Sequence, residues 1–474
     1  MIPVSSAATV RARDHAVIHT LGVPSHTLME LAGHGAAQHI HAALPAGAAA
    51  AVFCGPGNNG GDGYVVARWL KTWGRPVCTW AAAPPRTPDA QTNAQLCARL
   101  GIPTAASPAA ALAGAGAAVD ALLGTGQRAA PRGSIAAGVA ALADAAVPVF
   151  ALDVPTGLCA DTGQPLGDTV VTAAATVTFG DWKQGLLCEP AATLAGPVHR
   201  VDIGLDLAAP LGAPAPEAGV LTTADIRLPR RGNQDAKWSR GHVAIRAGGG
   251  AAVLAAHGAF RAGAGLVTLL APRSEWPRLV GLWPVVILAE PDALDPRRHD
   301  VLVIGPGLGV SDDTEVEVRA LWQNWSGGLV ADADALTLLA RMPPLASRGP
   351  RVITPHAAEA GRLLGTDRRA VEADRFAAAG TLQDWGVVVL KGPNTIVAAP
   401  NEPHAVVPVR CGRLATAGSG DVLAGLVGGL LAQGAGPRDA AIGGAWWHAA
   451  AGEAMPPRGT AMDLLDALAE TATV

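Results

Sequence analysis

The stretch CGPGNNGGDGYVVARWL, Cys54 to Leu70, decides how the first half of the chain is read. Small apolar residues, Ala50 to Phe53, lead into it, and a helical pattern leaves it. Between them lie five glycines, two asparagines and one aspartate. Residues 50–53 predict a buried strand. Val65, Val66, Trp69, Leu70 and Trp73 share one side of a helix expected over 64–73, which Gly74 and Pro76 stop. Strand, polar glycine turn and helix together open a βαβ unit. Glycines let the backbone turn sharply and approach a ligand closely, and the amides of a helix start can receive an anion. A dinucleotide fingerprint fits poorly: GPGNNG has the GxGxxG spacing, but Pro56 and the asparagines are foreign to it. No GxxxxGK[ST] motif occurs. A tight turn with Asp62 as helix cap is the plain alternative.

The same alternation continues downstream. Residues 76–81 predict the next strand, AVDALLGTG a strand ending near Asp120, VPVFALDVPTG one ending near Asp153, and ATVTFGD one ending near Phe179. At DLAAPLGAPAPEAG, residues 206–219, three prolines fall within seven residues and periodicity is lost, which predicts a linker. Beyond it GHVAIRAGGG, GLVTLLAP, DVLVIGPGLG, GGLVADADAL, PRVITPHAAEA and GVVVLKGPNT are each an apolar run followed by polar or glycine residues. The expectation is two α/β domains, 1–210 and 217–474, each with a largely parallel sheet between helix layers.

Composition narrows the function. The chain has 474 residues, half of them hydrophobic but only 4% aromatic, so its cores must be built from Ala, Val and Leu. A net charge of −4 with interspersed signs argues against a nucleic-acid partner. Six scattered cysteines without metal-knuckle spacing predict reduced thiols and a cytoplasmic location. The charged stretch MIPVSSAATVRARDH is unlike a signal peptide, and no apolar run has membrane-spanning length.

Ligands of parallel sheets sit beyond the carboxyl ends of the strands. There the first half offers Asn58, Asn59, Asp62, Asp120, Asp153 and Thr156, and the second Asp332, Asp334, His356, Glu359, Lys391 and Asp421. The oxygens of Asn59, Asp120 and Thr156, with little net charge, suit a monovalent cation. Asp153, before a proline turn, can serve as acid or base, or merely cap an Asx turn. TAGSGDVLAG opens a helix on Gly418, Ser419 and Gly420, an anion hole beside which Asp421 could take a hydroxyl proton. Its bland counterpart is a helix cap. Lys391 could hold phosphates or simply be solvated. His356 and Glu359 share a helix face without a recognisable third zinc ligand. Asp332 and Asp334 suit a magnesium ion, a sugar hydroxyl or a cap.

Taken together, these motifs resemble a known family. GPGNNGGDG, DALLGTG, LDVPTGLCADTG and VTFG look like the NAD(P)H-hydrate epimerase domain, which has a Rossmann-like three-layer αβα fold. RAGAGLVT, VIGPGLG, DADAL, TPHAAEAGRLLG, VLKGPNT and ATAGSGDVLAG look like the ribokinase-like αβα domain of NAD(P)H-hydrate dehydratases. The resemblance implies repair of hydrated NADH and NADPH. One domain interconverts the R and S hydrates; the other dehydrates the S form with ADP or ATP, through phosphorylation and phosphate loss. It implies that Asn58, Asn59, Gly60, Gly61 and Asp62 touch the hydrate, and that Asn59, Asp120 and Thr156 hold K+. Gly124, Thr125, Gly126, Gln127, Arg128, Ala129 and Ala130 would bind the cofactor's phosphates, and Asp153 would be catalytic. In the second domain Gly307 and His356 would bind the hydrate. Lys391, Gly392, Pro393, Asn394, Thr395, Gly418, Ser419 and Gly420 would hold the nucleotide, with Mg2+, and Asp421 would be the base. A homo-oligomer is expected.

Some positions depart from the family pattern. Thr156 stands where serine is usual, and the hydroxyl survives. Ala236, Trp238 and a shortened glycine loop at 248–250 replace the usual HKG and longer GGS segment, Thr337 replaces asparagine, and VRCGRLATAG lacks Asn-Pro-Gly. Competing readings are a ribokinase-like small-molecule kinase with a regulatory N-terminal half, and a nucleotide sensor without turnover. A dehydrogenase is weakest, because no acidic residue follows the glycine loop at the required distance.

Overall fold

The computed structural model describes residues 1–230, 232–279 and 285–471, and the chain divides into two compact units, Ile2–Ala218 and Gly219–Val474, the latter with Met1. The first unit contains β1 (Ile2–Ser5), β2 (Ala50–Cys54), β3 (Val77–Ala81), β4 (Ala117–Ala121), β5 (Val149–Leu152), β6 (Ala175–Phe179), β7 (Trp182–Lys183) and β8 (Val198–Val201). Six of these form an all-parallel sheet in the order β3-β2-β4-β5-β6-β8. Both faces are covered, as parallel sheets require: Val52 and Val119 pack into one buried layer, Ala51, Phe53 and Ala118 into the other. Chain order reverses between β2 and β4, so the loops leaving these strands part and open a crevice, the usual ligand position in such sheets.

The helix that follows β2 begins at Asn58, six residues before its expected start, and runs to Thr72. Gly60, Gly61 and Gly63 are therefore helical rather than loop residues. They are glycines because the helix lies against the sheet backbone: a β-carbon on Gly60 would stand 1.9 Å from the Gly55 carbonyl oxygen. Asp62, inside the helix, is no cap. Asp120 sits within β4 rather than after it. The expected linker is folded: residues Leu205–Leu211 form a 3-10 helix with Leu205 and Ala208 buried, because these apolar side chains find a core to enter.

A short strand, β9 (Ala218–Val220), lies at the division. The second unit carries β10 (His242–Arg246), β11 (Leu266–Leu270), β12 (Ile287–Ala289), β13 (Val301–Ile304), β14 (Gly328–Ala331), β15 (Arg351–Ile353), β16 (Val387–Leu390), β17 (Ile396–Ala398) and β18 (His404–Val406). Their order is β12-β11-β10-β13-β14-β15-β16-β17-β18, parallel up to β16 and antiparallel beyond. Here the order reverses between β10 and β13. The shortened loop after β10 meets the GPGLG loop after β13, with Gly248 N–H donating to the Pro306 carbonyl at 2.9 Å. Two helices, Gly249–Ala262 and Ser419–Ala432, cross at backbone contact: a β-carbon on Gly425 would lie 1.9 Å from the Ala255 carbonyl oxygen. Abundant Ala and Gly thus have a packing role.

Candidate active sites

In the first unit the loops after β2, β4 and β5 surround a cleft of about 660 Å³. Asn58, Asn59, Asp62, Gly124, Thr125, Gly126, Gln127, Arg128, Ala129 and Asp153 line it. Gly60 and Gly61 do not; they pack against Gly55 and Met29, and Ala130 lies against Gly167.

Asp120 is wholly buried. Its Oδ1 accepts from the Thr156 hydroxyl at 2.8 Å and from Leu122 N–H at 3.1 Å, and its Oδ2 from Thr156 N–H at 2.8 Å. Burial raises its pKa to about 6 against the opposing pull of these bonds. Asn59 stands at the Gly124 edge. A β-carbon on Gly124 would be 3.2 Å from Asp153 Oδ2 and 3.4 Å from Asn59 Cγ, which shows how closely the two side chains converge. Both polar atoms of the Asn59 amide are buried with no hydrogen-bond partner among the described residues.

Asp153 follows β5 in the left-handed region, φ +67°, an uncommon conformation that turns its carboxylate inward. It is no lone carboxylate: Lys183 Nζ forms an ion pair with its Oδ1. That ammonium is buried and also donates to the Phe179 carbonyl at 2.7 Å and to the Thr178 hydroxyl at 3.0 Å. Asp62 has its pKa pushed well above the usual carboxylate value by burial, then by Asp153 and Asp14, against Lys183. Gln127 locks its loop, its Oε1 accepting from Gly157 N–H at 2.6 Å. Arg128 is exposed, 3.8 Å from Asp161.

In the second unit Lys391, after β16, donates to Asp332 Oδ1 at 2.7 Å and stands 3.8 Å from Glu359 Oε2. Burial opposes its charge, but Asp332, Glu359 and Asp421 outweigh burial and raise its pKa. Asp332 precedes Ala333, whose φ of +51° and ψ of −117° strain a residue with a β-carbon by about 1–3 kcal/mol. That strained corner sends Asp332 to Lys391 and Asp334 to the GPGLG loop, where Asp334 Oδ2 accepts from Gly309 N–H at 2.8 Å.

The helix Ser419–Ala432 starts from Gly418 at φ +88°. A β-carbon on Gly420 would lie 3.3 Å from Lys391 Nζ and 3.6 Å from Asp332 Oδ2, so the glycine start, the lysine and the acid meet. Asp421, one residue on, has its pKa raised to about 6 by burial, then Asp332, with Asp334 and Glu359 adding and Lys391 opposing. Beneath the helix start the buried His448 places Nε2 2.9 Å from the Ser419 carbonyl oxygen.

His356 is a helix cap: its Nδ1 accepts from Ala358 and Glu359 N–H at 3.1 and 3.2 Å, while Glu359 Oε2 accepts from His356 N–H at 2.8 Å. Through Glu359 it connects to Lys391. Gly307 takes φ +60° against Gly248. Asn394 is buried at φ +52°, and the Thr395 hydroxyl donates to the Gly392 carbonyl, so this loop is rigid; Pro393 is exposed. Thr337 accepts from Arg362 at 3.3 Å, and Trp238 is exposed.

Sequence reasoning missed Lys183, Asp14 and His448. Lys183 carries a weak signal, a lone lysine just past VTFGDW; the other two reach their sites from distant helices without a local mark. No group of three or more His, Cys, Asp or Glu among the described residues is arranged to ligate a metal, and no helix among them is long and apolar enough to cross a membrane.

Residues 25–185 match the family model for the YjeF-related protein N-terminus, and residues 245–473 that for NAD(P)H-hydrate dehydratase. A bifunctional NAD(P)H-hydrate repair enzyme of Gloeobacter violaceus is 38% identical over 94% of this chain and 92% of its own. Its counterpart in Escherichia coli is 36% identical over 95% and 89%. The crystal structure of an ADP/ATP-dependent NAD(P)H-hydrate dehydratase from Bacillus subtilis superposes on 52% of this chain and 93% of its own, at 27% identity and a TM-score of 0.48.

Proposed function

We infer the chemistry of the two sites from one premise: the chain belongs to the family of bifunctional NAD(P)H-hydrate repair enzymes. It is an isomerase and a lyase acting on hydrated NADH and NADPH. We assign epimerisation to residues 1–210 and nucleotide-dependent dehydration to residues 217–474.

One observation carries the second assignment: Lys391, Asp332 and the glycine start at Gly420 meet within van der Waals reach, with Asp421 next in the chain. Unpaired amides at a helix start and a lysine together bind phosphoryl oxygens. Asp421 takes the proton of the ring hydroxyl, whose oxygen attacks the terminal phosphoryl group of ADP or ATP. The nucleotide leaves one phosphate shorter. The carbon–oxygen bond then breaks with phosphate departing, and loss of a proton from the neighbouring ring carbon restores the double bond. Phosphate leaves far more readily than hydroxide. A residue titrating at about 6 is near the optimum for a base at neutral pH. Gly392, Pro393, Asn394 and Thr395 frame the nucleotide, Mg2+ accompanies it, and Gly307 and His356 border the hydrate.

In the first unit Asp153, held by Lys183, faces the hydrate, and the loop from Gly124 to Ala129 takes its phosphates. Asn59, Asp120 and Thr156 fit an alkali cation such as K+. Asp120 is a buried carboxylate with no cationic partner among the described residues, and the buried Asn59 oxygen lacks any donor there. An alkali ion would supply the missing positive charge. The enzyme acts as a homo-oligomer in the cytoplasm.

The test is incubation of the purified protein with mixed hydrate epimers, with and without ADP or ATP, followed by chromatography. Asp421→Ala should slow nucleotide-dependent loss of the S hydrate by about 10²–10⁴-fold while epimer exchange continues. Joint loss of both activities in a folded protein would show that the two-site division is wrong.

A further inference from the structure

The first unit contains a carboxyl group that no motif marks. Asp14 lies on the helix Ala7–His15 and lines the same cleft as Asp153 and Lys183. Its Oδ1 is shut off from solvent, and no hydrogen bond reaches it among the described residues. Leaving such a group unsatisfied costs about 1–3 kcal/mol or more. The helix is anchored ahead of it. Ala7 N–H donates to Asp161 Oδ1 at 2.6 Å, and Arg13 Nη2 bonds the Leu205 carbonyl at 3.2 Å and Asp206 at 3.1 Å. With Oδ1 buried and unpartnered on the cleft wall, a ligand in the cleft can satisfy it.

We propose that Asp14 is a second catalytic carboxyl of the epimerase cleft, exchanging a proton with the hydrate's ring hydroxyl beside the Asp153–Lys183 pair. The proposal rests on the epimerase assignment above. Water adds across the enamine double bond of a dihydropyridine, so the hydroxyl-bearing carbon is bonded to the ring nitrogen. Protonated Asp14 gives its proton to that hydroxyl. The carbon–oxygen bond breaks with both electrons on oxygen, water leaves, and the nitrogen lone pair closes a carbon–nitrogen double bond. Water then adds to the opposite face of the same carbon, and its surplus proton returns to a carboxylate of the cleft. Nothing is oxidised or consumed. Lys183, whose hydrogens are spent on Asp153, Thr178 and Phe179, fixes Asp153 as the acceptor, and the protonated form of Asp14 is the donor.

Burial pushes the Asp14 pKa up to about 6, with Lys183 lowering it and Asp153 and Asp181 raising it; Asp62 adds another acidic group in the cleft, and Arg11 a basic one. The readout is epimer exchange above the uncatalysed background, by chromatography of pure R or S hydrate without nucleotide, on the full chain. Asp14→Asn should slow exchange at least about tenfold, with kcat rather than KM affected, and should erase the fall in kcat/KM that the parent shows as pH rises past about 6. Its melting temperature at about pH 8 should equal or exceed the parent's, because a buried unpartnered carboxylate has gone. Exchange at the parent rate with the pH limb retained would overturn the role of Asp14 alone. A variant that is slower only because it melts earlier would overturn it too. No exchange by the parent itself would overturn the epimerase assignment and this proposal together.

Discussion

Each unit sets a lysine against an aspartate, yet the two lysines are used differently. Lys183 is buried and spends its hydrogens on Asp153, the Thr178 hydroxyl and the Phe179 carbonyl. Lys391 is 19% exposed; among the described residues its ammonium donates to Asp332, and Glu359 stands 3.8 Å away. The first lysine fixes a carboxylate and has nothing left for a ligand. The second keeps donors free, beside the glycine start of a helix. The same kind of ion pair is thus a structural clamp in the site we assign to epimerisation and an open hand in the site we assign to phosphoryl transfer.

The difference is most exposed by cutting both lysines. Lys183→Met leaves the largely buried Asp153 without its cation, a loss of about 3–5 kcal/mol at a buried pair. The first unit should unfold at markedly lower urea, and epimer exchange should disappear with it. Lys391→Met removes a donor from a partly exposed position. Nucleotide-dependent dehydration should fall by about 10²–10³-fold, with the urea midpoint shifted by less than about 1 kcal/mol equivalent. If Lys183→Met is as stable as the parent, or Lys391→Met unfolds, the contrast between clamp and open hand is lost.

How much of this could be read from the residues differs between the units. The βαβ alternation, and the strand ends bearing Asp153, Lys391 and the Gly418–Asp421 turn, are local patterns, since apolar runs and glycine clusters write themselves into neighbouring positions. The start of the helix at Asn58 was hidden because glycine lowers helix propensity, while the reason for those glycines is contact with Gly55, Met29 and Ala121, invisible in a single segment. Proline at 210, 214 and 216 suggested a linker, but Leu205 and Ala208 find a core that only the folded chain supplies. Lys183 and Asp14 come to Asp153 from about 30 and 140 positions away, separations no periodicity argument spans. His356 shows the opposite failure: its pairing with Glu359 was legible, but it serves as a helix cap as well as bordering the site.

A smaller effect separates the clefts by pH. Asp421 must be ionised to accept a proton, and its pKa is raised to about 6 by burial and the surrounding carboxylates. Dehydration measured as kcat/KM should therefore rise with pH up to about 6 and level off above it. Epimer exchange, which uses a protonated Asp14, should instead hold level up to about pH 6 and fall above it. Parallel profiles would mean that one titrating group governs both units and that the assignment of Asp421 as base is mistaken.

The smallest expected effect concerns the alkali ion. Burial raises the Asp120 pKa in the folded chain to about 6, above the ordinary carboxylate value of about 3.9. Between those values the folded chain binds a proton that the unfolded chain has released, so the contribution of Asp120 to stability falls as pH rises through that window and is lowest above it. A cation held by Asn59, Asp120 and Thr156 acts only on the ionised carboxylate. Potassium at about ten times its Kd should then add roughly 1.4 kcal/mol, a rise of about 3–6 °C in melting temperature for a unit of this size. The comparison is with choline chloride at equal ionic strength, at about pH 7.5. At about pH 5, where the proton competes for Asp120, the difference should shrink. Equal melting in both salts at the higher pH would remove the ion from this site and leave the orphaned Asn59 amide to the hydrate itself.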